Sequence, residues 1–579
     1  MKKIHLIVQK KDVESALERL ADLGTVHVEH SQAPTGKTVA KARETVEILD
    51  QVIRVLESKK NRQEQQPCDD WKEKATEVLD LQALNNQHQE FIDKRAMRIA
   101  KCEEWGNFEP QDIRDLAEKG IFVHLYEVPT SVKNIEVPGG VIFQEVGATK
   151  NLRRFVAVLQ ENKNLPYDRV YPPPVSLEKM KLLQTEEQTE ATHLEKLIWE
   201  HTKYVEQFRK IRQEAQYQLD LKEAQSGMYD YDEICFLKGF IPEDQVLNLK
   251  LFAKENDWGI LIEAPTADDE VPTQLRNPQW VNLSKPAFQL IEILPGYKEV
   301  DISPVFLIFF TLFFGLLIGD AAYGLIFLAA TVFCHIKFGS RLQDKTVFWL
   351  MYLLTGFTVL IGVLTGTYFG QAWLPASVKP IVPWLNDPKN LQYLCFTIAL
   401  IHLTIARLWA FVRLTPSILA AAQIGWLLVV WGMYFVANMF VLGRPFPPFA
   451  LWMIIGGAGM ALFFMAPPRE LLKKIGSEAI PFLLSIINAG TDIVSYIRLF
   501  AVGVATIAVA DAANSMWNTP LFGFNYVLFF GLHILNMILA LMAILVHAVR
   551  LNVLEFSGHM GLEWAGVKYR PLNKTIKVA

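Results

Sequence analysis

Apolar and polar positions are distributed unevenly along this chain. Up to about residue 300 they recur in short strand-like or helix-like patterns, and from 304 to 556 they fuse into long apolar runs. Lys3 to Gln9 alternates like a strand, and Val13, Ala16, Leu17 and Leu20 then follow at helical spacing. Gly24 stops that helix and Thr25 to Glu29 alternates again, which predicts a β-α-β unit. Ile234 to Ile262 predicts a second: CFLKGFI, a helix through Gln245 to Glu255, then WGILIEA. The two units can pair into one proximal α+β lobe, 1–35 with 230–270. Between them, 38–104 and 176–226 are highly charged and favour helix, and Val46, Leu49, Val52, Ile53 and Leu56 follow a seam that suits an antiparallel two-helix coiled coil. The segment 105–175 carries strand-like IFVHLYEV, VIFQEV and RRFVAVL and predicts a distal α+β lobe. Residues 1–300 thus read as an elongated arm, the alternative being two independent globular domains with solvated helices.

The apolar runs are 304–334, 347–370, 391–412, 417–442, 449–466, 480–516 and 524–556. A helix of ~20 residues crosses the ~30 Å hydrocarbon core. The amino-terminal segment MKKIHLIVQKKDVESALERL lacks the apolar core of a secretory leader, so the arm is expected in the cytoplasm. The loop with Lys337, Arg341 and Lys345 belongs on the same side. An even number of crossings must separate them, so 304–334 is predicted to be a hairpin turning near Gly319-Asp320. The loops near Arg444 and Pro520 then fall outside. Those with Arg413 and with Arg469, Lys473 and Lys474 fall inside, as does the tail 557–579 with Lys568, Arg570, Lys574 and Lys577. The count for 301–556 is eight crossings. The last two runs are longer than the core thickness, which predicts tilt.

The net charge of −4 leaves no basic footprint for nucleic acid, and mean hydropathy is +0.18. The five cysteines show no metal-binding spacing and are expected to be reduced. SQAPTGKT (31–38) ends like a phosphate loop, but Ser31 stands where its first glycine is required, so no nucleotide site is expected.

Candidate chemistry lies in the last two runs. Arg498 sits mid-run and Arg550 near the end of the next. A guanidinium cannot shed its proton, so in a bilayer each costs a few kcal/mol unless it meets water or a carboxylate. At 100° per residue, Asn488, Thr491, Ser495, Arg498 and Val502 share about 80° of arc, with Thr506 on the same side and Asp492 beside it. His533, Asn536, Ala540, Ala543, His547, Arg550 and Leu554 share about 100°. Either stripe can be interhelical glue or the lining of a wet path. Asp320 suits a helix cap, Arg550 can snorkel to headgroups, and Arg498 can pair with Asp492. A fixed cation facing a close neighbour also suits a carrier whose ion site is a carboxylate, because it favours release of the ion and blocks a direct leak.

FFGLLIGDAAYG (313–324), GTYFG (366–370), SYIRLFAVGVA (495–505) and HAVRLNVLEF (547–556), with KGFIP (238–242) and PTQLRNP (272–278), resemble the membrane subunit a, or subunit I, of V/A-type rotary ATPases in its bacterial or archaeal form. The resemblance implies a mainly α membrane protein: eight transmembrane helices, the last two long and tilted, with an α+β and coiled-coil cytoplasmic arm. It implies a stator in the bacterial inner membrane, both termini cytoplasmic, that passes H+ or Na+ through two half-channels and binds neither nucleotide nor cofactor. Implied partners are the ring of proteolipid K subunits, the E/G peripheral stalks and the C/d socket of the central stalk. Arg498 matches the arginine that meets the ring carboxylate and Arg550 the second arginine. His547 and Glu555 fall in the inner half-channel; Asp492, Ser495 and Tyr496 are further half-channel candidates, assigned to neither side. Thr506 and Ala540 stand where the vacuolar branch has histidine and glutamate, so the outer half-channel falls to Asp511, Asn514, Asn536 or His533. A self-contained secondary transporter is the alternative, but it favours paired broken repeats and only one Gly-Asp break is present.

Overall fold

The computed structural model describes the chain except residues 31, 60–62, 133–134, 136–137, 267, 341, 343, 371–372, 374–379, 466–470, 518–523 and 575–579, and for 471–479 it describes the backbone alone. Ser31, Arg341, Arg469, Pro520 and Lys577, and the side chains of Lys473 and Lys474, therefore lie outside the described residues. The chain forms two compact units, one of residues 3–262 with the tail from Pro571, the other of residues 1–2 and 263–570.

In the first unit the elements are β1 (Lys2–Gln9), α1 (Val13–Leu23), β2 (His27–Glu29), α2 (Lys37–Glu57), α3 (Trp71–Glu103), α4 (Pro110–Glu118), β3 (Phe122–Pro129), β4 (Ile142–Ala148), β5 (Leu152–Leu159), β6 (Asp168–Val170), α5 (Leu177–Glu200), α6 (Val205–Ser226), β7 (Tyr229–Tyr231), β8 (Ile234–Ile241), α7 (Val246–Glu255) and β9 (Gly259–Glu263). The two predicted β-α-β units do merge into one sheet, ordered β2-β8-β1-β9 with β7 on β8. Its core joins Ile4, Leu6, Leu17, Leu20, Leu237 and Leu249 to Tyr217 and Leu221 of α6 and to Leu572 of the tail. The distal strands form a separate antiparallel sheet, β4-β5-β3-β6.

The helical stretches differ from the expected single hairpin of two helices. Each is broken, and α2 packs on α6 while α3 packs on α5. Val46, Leu49, Val52 and Leu56 are buried as the seam predicts. The break follows from Pro67 and its polar neighbours, which supply no seam residue. Asp70 restarts the helix by accepting from the backbone N–H of Lys72 (3.1 Å) and Glu73 (3.2 Å).

The second unit holds β10 (Pro272–Thr273), α8 (Lys285–Leu290), α9 (Ser303–Ile318), α10 (Ala321–Phe338), α11 (Thr346–Thr365), α12 (Pro388–Leu414), α13 (Leu419–Leu442), α14 (Pro448–Phe463), α15 (Leu471–Ser495), α16 (Ile497–Met516), α17 (Phe524–Ala543), α18 (Ser557–Met560) and β11 (Val567–Lys568). It starts at Glu263, ahead of the expected 301, because the segment before α9 packs on it. The Phe288 and Phe306 rings pack with centroids 4.5 Å apart, tilted by 36°. The last long helix also runs on to Met560, past the expected 556. Among the described residues, six helices have the length and hydropathy to cross a membrane, and α9 and α14 are shorter apolar helices.

The first apolar run breaks where predicted. Gly319 ends α9 with φ of 59°, a left-handed conformation that glycine adopts without strain. Asp320 caps α10, its Oδ1 accepting from Ala322 N (2.9 Å) and Tyr323 N (3.1 Å). Its Oδ2 accepts from Gly370 N at 2.8 Å and ties the GTYFG loop to the break. α10 runs antiparallel to α11, with Gly324 against Val359 and His335 stacked on Phe348. α9 runs parallel to α11, its Gly315 against Phe357 and its foot sharing the segment 281–284 with α11. The chain therefore reverses at the break.

Close approach of α11 to the turn depends on Gly362, where a Cβ would stand 2.6 Å from the Ala321 Cα. Gly362→Ala is expected to lower the thermal stability of the detergent-solubilised protein by about 1–3 kcal/mol through overpacking. Gly356→Ala, which would meet nothing within 4 Å, serves as the control in the same melting experiment.

Candidate functional site

The 480–516 run is not one uniform helix. It is interrupted at Tyr496, where Tyr496 N reaches Ile493 O (3.2 Å) and Leu499 N reaches Tyr496 O (3.0 Å). The fully buried Tyr496 hydroxyl lies 2.7 Å from His402 Nδ1. His402 is itself wedged between the rings of Phe309 (3.9 Å) and Phe556 (4.4 Å). The interruption is thus held from inside the bundle, and Tyr496 points inward, away from the polar face. On that face Asn488 and Thr491 are exposed, Ser495, Arg498 and Val502 are half-buried, and Thr506 is buried. The α15 part of the stripe therefore faces outward from the bundle.

At the end of this stripe Arg498 meets Glu555, not Asp492. Arg498 Nη2 donates to Glu555 Oε1 at 2.5 Å, and its Nε donates to Ser495 O at 2.9 Å. Arg550 Nε stands 3.6 Å from the same Glu555 oxygen. The carboxylate is 5% exposed, the Arg498 side chain 22% and the Arg550 side chain 53%. Glu555 Oε2 and His547 Nδ1 are buried with no hydrogen-bond partner among the described residues. Two permanent cations share one carboxylate, and among the described residues neither has another acidic partner. The cluster keeps at least one net positive charge.

The eighth stripe departs from its projection. His533, Asn536 and Ala540 are buried, but the buried face then continues through Ile544, Ala548, Leu551, Asn552 and Glu555, while Arg550 and Leu554 turn outward. The cause is local: residues 544–548 and 551–556 wind as π-helix, with more residues per turn than the 3.6 of an α-helix. This extra winding is what turns Glu555 inward beneath Arg498.

Asp492 belongs to a separate inner cluster, 2.9 Å from His559 Nε2. At the other end of α16 and α17 the outer candidates gather around Tyr323. Asn536 Nδ2 donates to Thr506 O (2.8 Å) and to Tyr323 OH (3.1 Å). Tyr323 OH is 2.6 Å from His533 Nδ1, and His533 Nε2 is 3.3 Å from Asn514 Oδ1. Asn514 Nδ2 donates to Phe369 O at 2.6 Å. The two backbone acceptors fix both amides, so Tyr323 donates to His533 and His533 donates to Asn514. His533 and Asn514 line a cavity of about 540 Å³ walled by Trp373, Trp517, Phe529 and Phe530. Asp511 lies against Gly370 of the GTYFG loop. The pattern of residues along the chain does not single out Tyr323, His402, Arg407 or His559. The last three share the signal that exposed Arg498, an ionisable side chain in or next to an apolar run.

Among the described residues no group of three or more His, Cys, Asp or Glu side chains could hold a metal. Comparison with family models gives no match. Comparison with curated proteins does. The chain is 30% identical to the V-type ATP synthase subunit I of Borreliella burgdorferi, covering 100% of this chain and 99% of that protein. It is 29% identical to V-type ATP synthase subunit I 1 of Treponema pallidum, covering 99% of each. It is 28% identical to the A-type ATP synthase subunit I of Pyrococcus horikoshii over 56% of this chain and 51% of that protein.

If Glu555 is the internal counter-charge of both arginines, Glu555→Gln leaves two cations facing each other. The expected result is a loss of about 1–3 kcal/mol, moderated by the partial exposure of the arginines, read as a lower melting temperature of the solubilised chain. Glu555→Gln combined with Arg550→Gln should recover part of that loss.

Proposed function

The chain belongs to the subunit I family of V-type and A-type ATP synthases, and from that premise we propose that it is the ion-conducting stator of the machine. The observation that carries this reading is the excess positive charge at Arg498, set at the end of an outward-facing polar stripe on an apolar helix. Such a charge is costly in a bilayer unless it meets water or a further anion. A ring of partner proteins, each carrying a carboxylate at that depth, would supply the anion one at a time.

In this reading a ring carboxylate that arrives loaded is deprotonated, or loses its cation, as it comes opposite Arg498, because the guanidinium favours the charged form. Glu555 is the arginine's resting partner and yields it when the mobile carboxylate arrives. Its unpartnered Oε2, with His547 and Ser495, lines the inner half-channel. The outer half-channel runs from the aromatic-walled cavity through Asn514 and His533 to Tyr323, Asn536 and Thr506. Arg498 stands between the two and blocks a direct passage, so the ion must travel round with the ring. Asp492, held by His559, lies off this path. Eight crossings, with α9 and α14 as the two short ones, put both ends of the chain in the cytoplasm. The two 37-residue runs, 480–516 and 524–560, measure roughly 55 Å and so tilt across the ring surface. The arm is the part that binds the peripheral stalks, and the ring and the central-stalk socket make up the rotor side.

In a reconstituted complex, Arg498→Ala is expected to reduce ATP-driven ion translocation by about 100-fold or more, equivalent to losing ~3 kcal/mol of electrostatic stabilisation, with assembly of the complex retained. Pumping at the normal rate by that variant sinks the stator reading. Tyr323→Phe keeps the packing but removes the donor to His533, and is expected to slow translocation by about tenfold. An unchanged proton flux in a pH-jump assay would remove Tyr323 from the outer path.

A further inference from the structure

A second charged group joins Arg407 of α12, Asp492 near the C-terminal end of α15 and His559 of α18, and its geometry fixes the direction of every hydrogen bond. Arg407 Nε is 3.0 Å from His559 Nδ1 and Arg407 Nη1 is 3.0 Å from Gln423 Oε1. The guanidinium also lies over the Trp426 ring at 5.4 Å. A guanidinium can only donate, so His559 Nδ1 accepts and the ring proton sits on Nε2. That nitrogen is 2.9 Å from Asp492 Oδ2, to which it donates. His559 is 5% exposed and Asp492 29%. Arg407 and Asp492 cancel in charge through the ring between them.

Asp492 precedes Arg498 by six residues on a helix that breaks at Tyr496, and a carboxylate in this region is the natural competitor for a nearby guanidinium. We propose that His559, oriented by Arg407, is a positioning residue that restrains Asp492 and so keeps it from neutralising Arg498. With Asp492 tethered, Arg498 has Glu555 as its one acidic partner among the described residues and keeps a charge for the moving carboxylate. Released, Asp492 would supply the second internal anion and extinguish the attraction on which ion release depends. The role needs a side chain that accepts from Arg407 and donates to Asp492 at once. Glutamine meets that demand; leucine has no polar group, and serine's single hydroxyl is too short to bridge partners that stand on opposite sides of the imidazole ring. This inference rests on the stator reading given above.

The test is ATP-driven ion translocation by the assembled complex reconstituted in vesicles, with assembly and melting temperature measured in parallel. H559L and H559S are expected to pump about tenfold more slowly, and H559Q to remain within about twofold of the unmodified complex. D492N introduced into H559L or H559S should restore most of the rate, because the competing charge is gone. The inference is overturned if H559S pumps normally, if H559Q is as slow as H559S, or if D492N brings no recovery in either background. R498A run alongside separates the two levels. Normal pumping by R498A refutes the stator reading itself, whereas its loss together with normal pumping by H559S refutes only the role given to His559.

Discussion

Two guanidiniums that cannot be neutralised share one buried carboxylate, and the arrangement of the membrane unit follows from holding that imbalance in place. Removing a charge from water costs several kcal/mol per ion even after relaxation, and a single well-placed counter-ion offsets only part of it for two cations. Glu555 lets Arg498 and Arg550 coexist in the chain without satisfying both. In the proposed stator, that residual charge is what gives the outward-facing stripe its affinity for an external acid.

Several departures from regular helix serve that end. The break at Tyr496 is anchored through His402, which is stacked between two phenylalanines, and it sets the direction in which Arg498 leaves the helix. The π-helical turns carry Glu555 inward while leaving Arg550 near the surface. The Gly319-Asp320 reversal, tied to Gly370, brings Tyr323 to His533 and Asn536. Each local irregularity would be a cost in a purely structural bundle. Here they place Tyr323 and Asn536 beside the middle of α16 and set Arg498 in its first turn, over Glu555.

Much of this was legible in the residue pattern. Alternation gave the two β-α-β units that share a sheet, and four of the five seam residues of α2 are buried as their spacing predicts, Ile53 being half-buried. Charge placement gave the reversal at Gly319-Asp320, because a loop with Lys337 and Lys345 demanded an even number of crossings. Arg498 stood out because an unshielded cation in an apolar run is so costly. What the pattern could not give is whatever depends on winding or on three-dimensional closure. A projection at 100° per residue assumes α-helix throughout, so it put Leu554 on the polar stripe and left Glu555 off it. Asp492 is the acidic residue nearest Arg498 in sequence, yet His559, 67 residues away, holds it. Pro67 alone did not announce that the helical arm would divide into two tiers.

The most direct test is a structure of the assembled rotary complex, resolved in its rotational resting states. An acidic side chain of a ring protein should lie within ion-pair distance of the Arg498 guanidinium, about 4 Å, in at least one state, with the Asn488–Thr491–Ser495 stripe covered by the ring. If Arg498 keeps Glu555 as its sole partner in every state and that stripe faces lipid, the uncompensated charge has no rotary role.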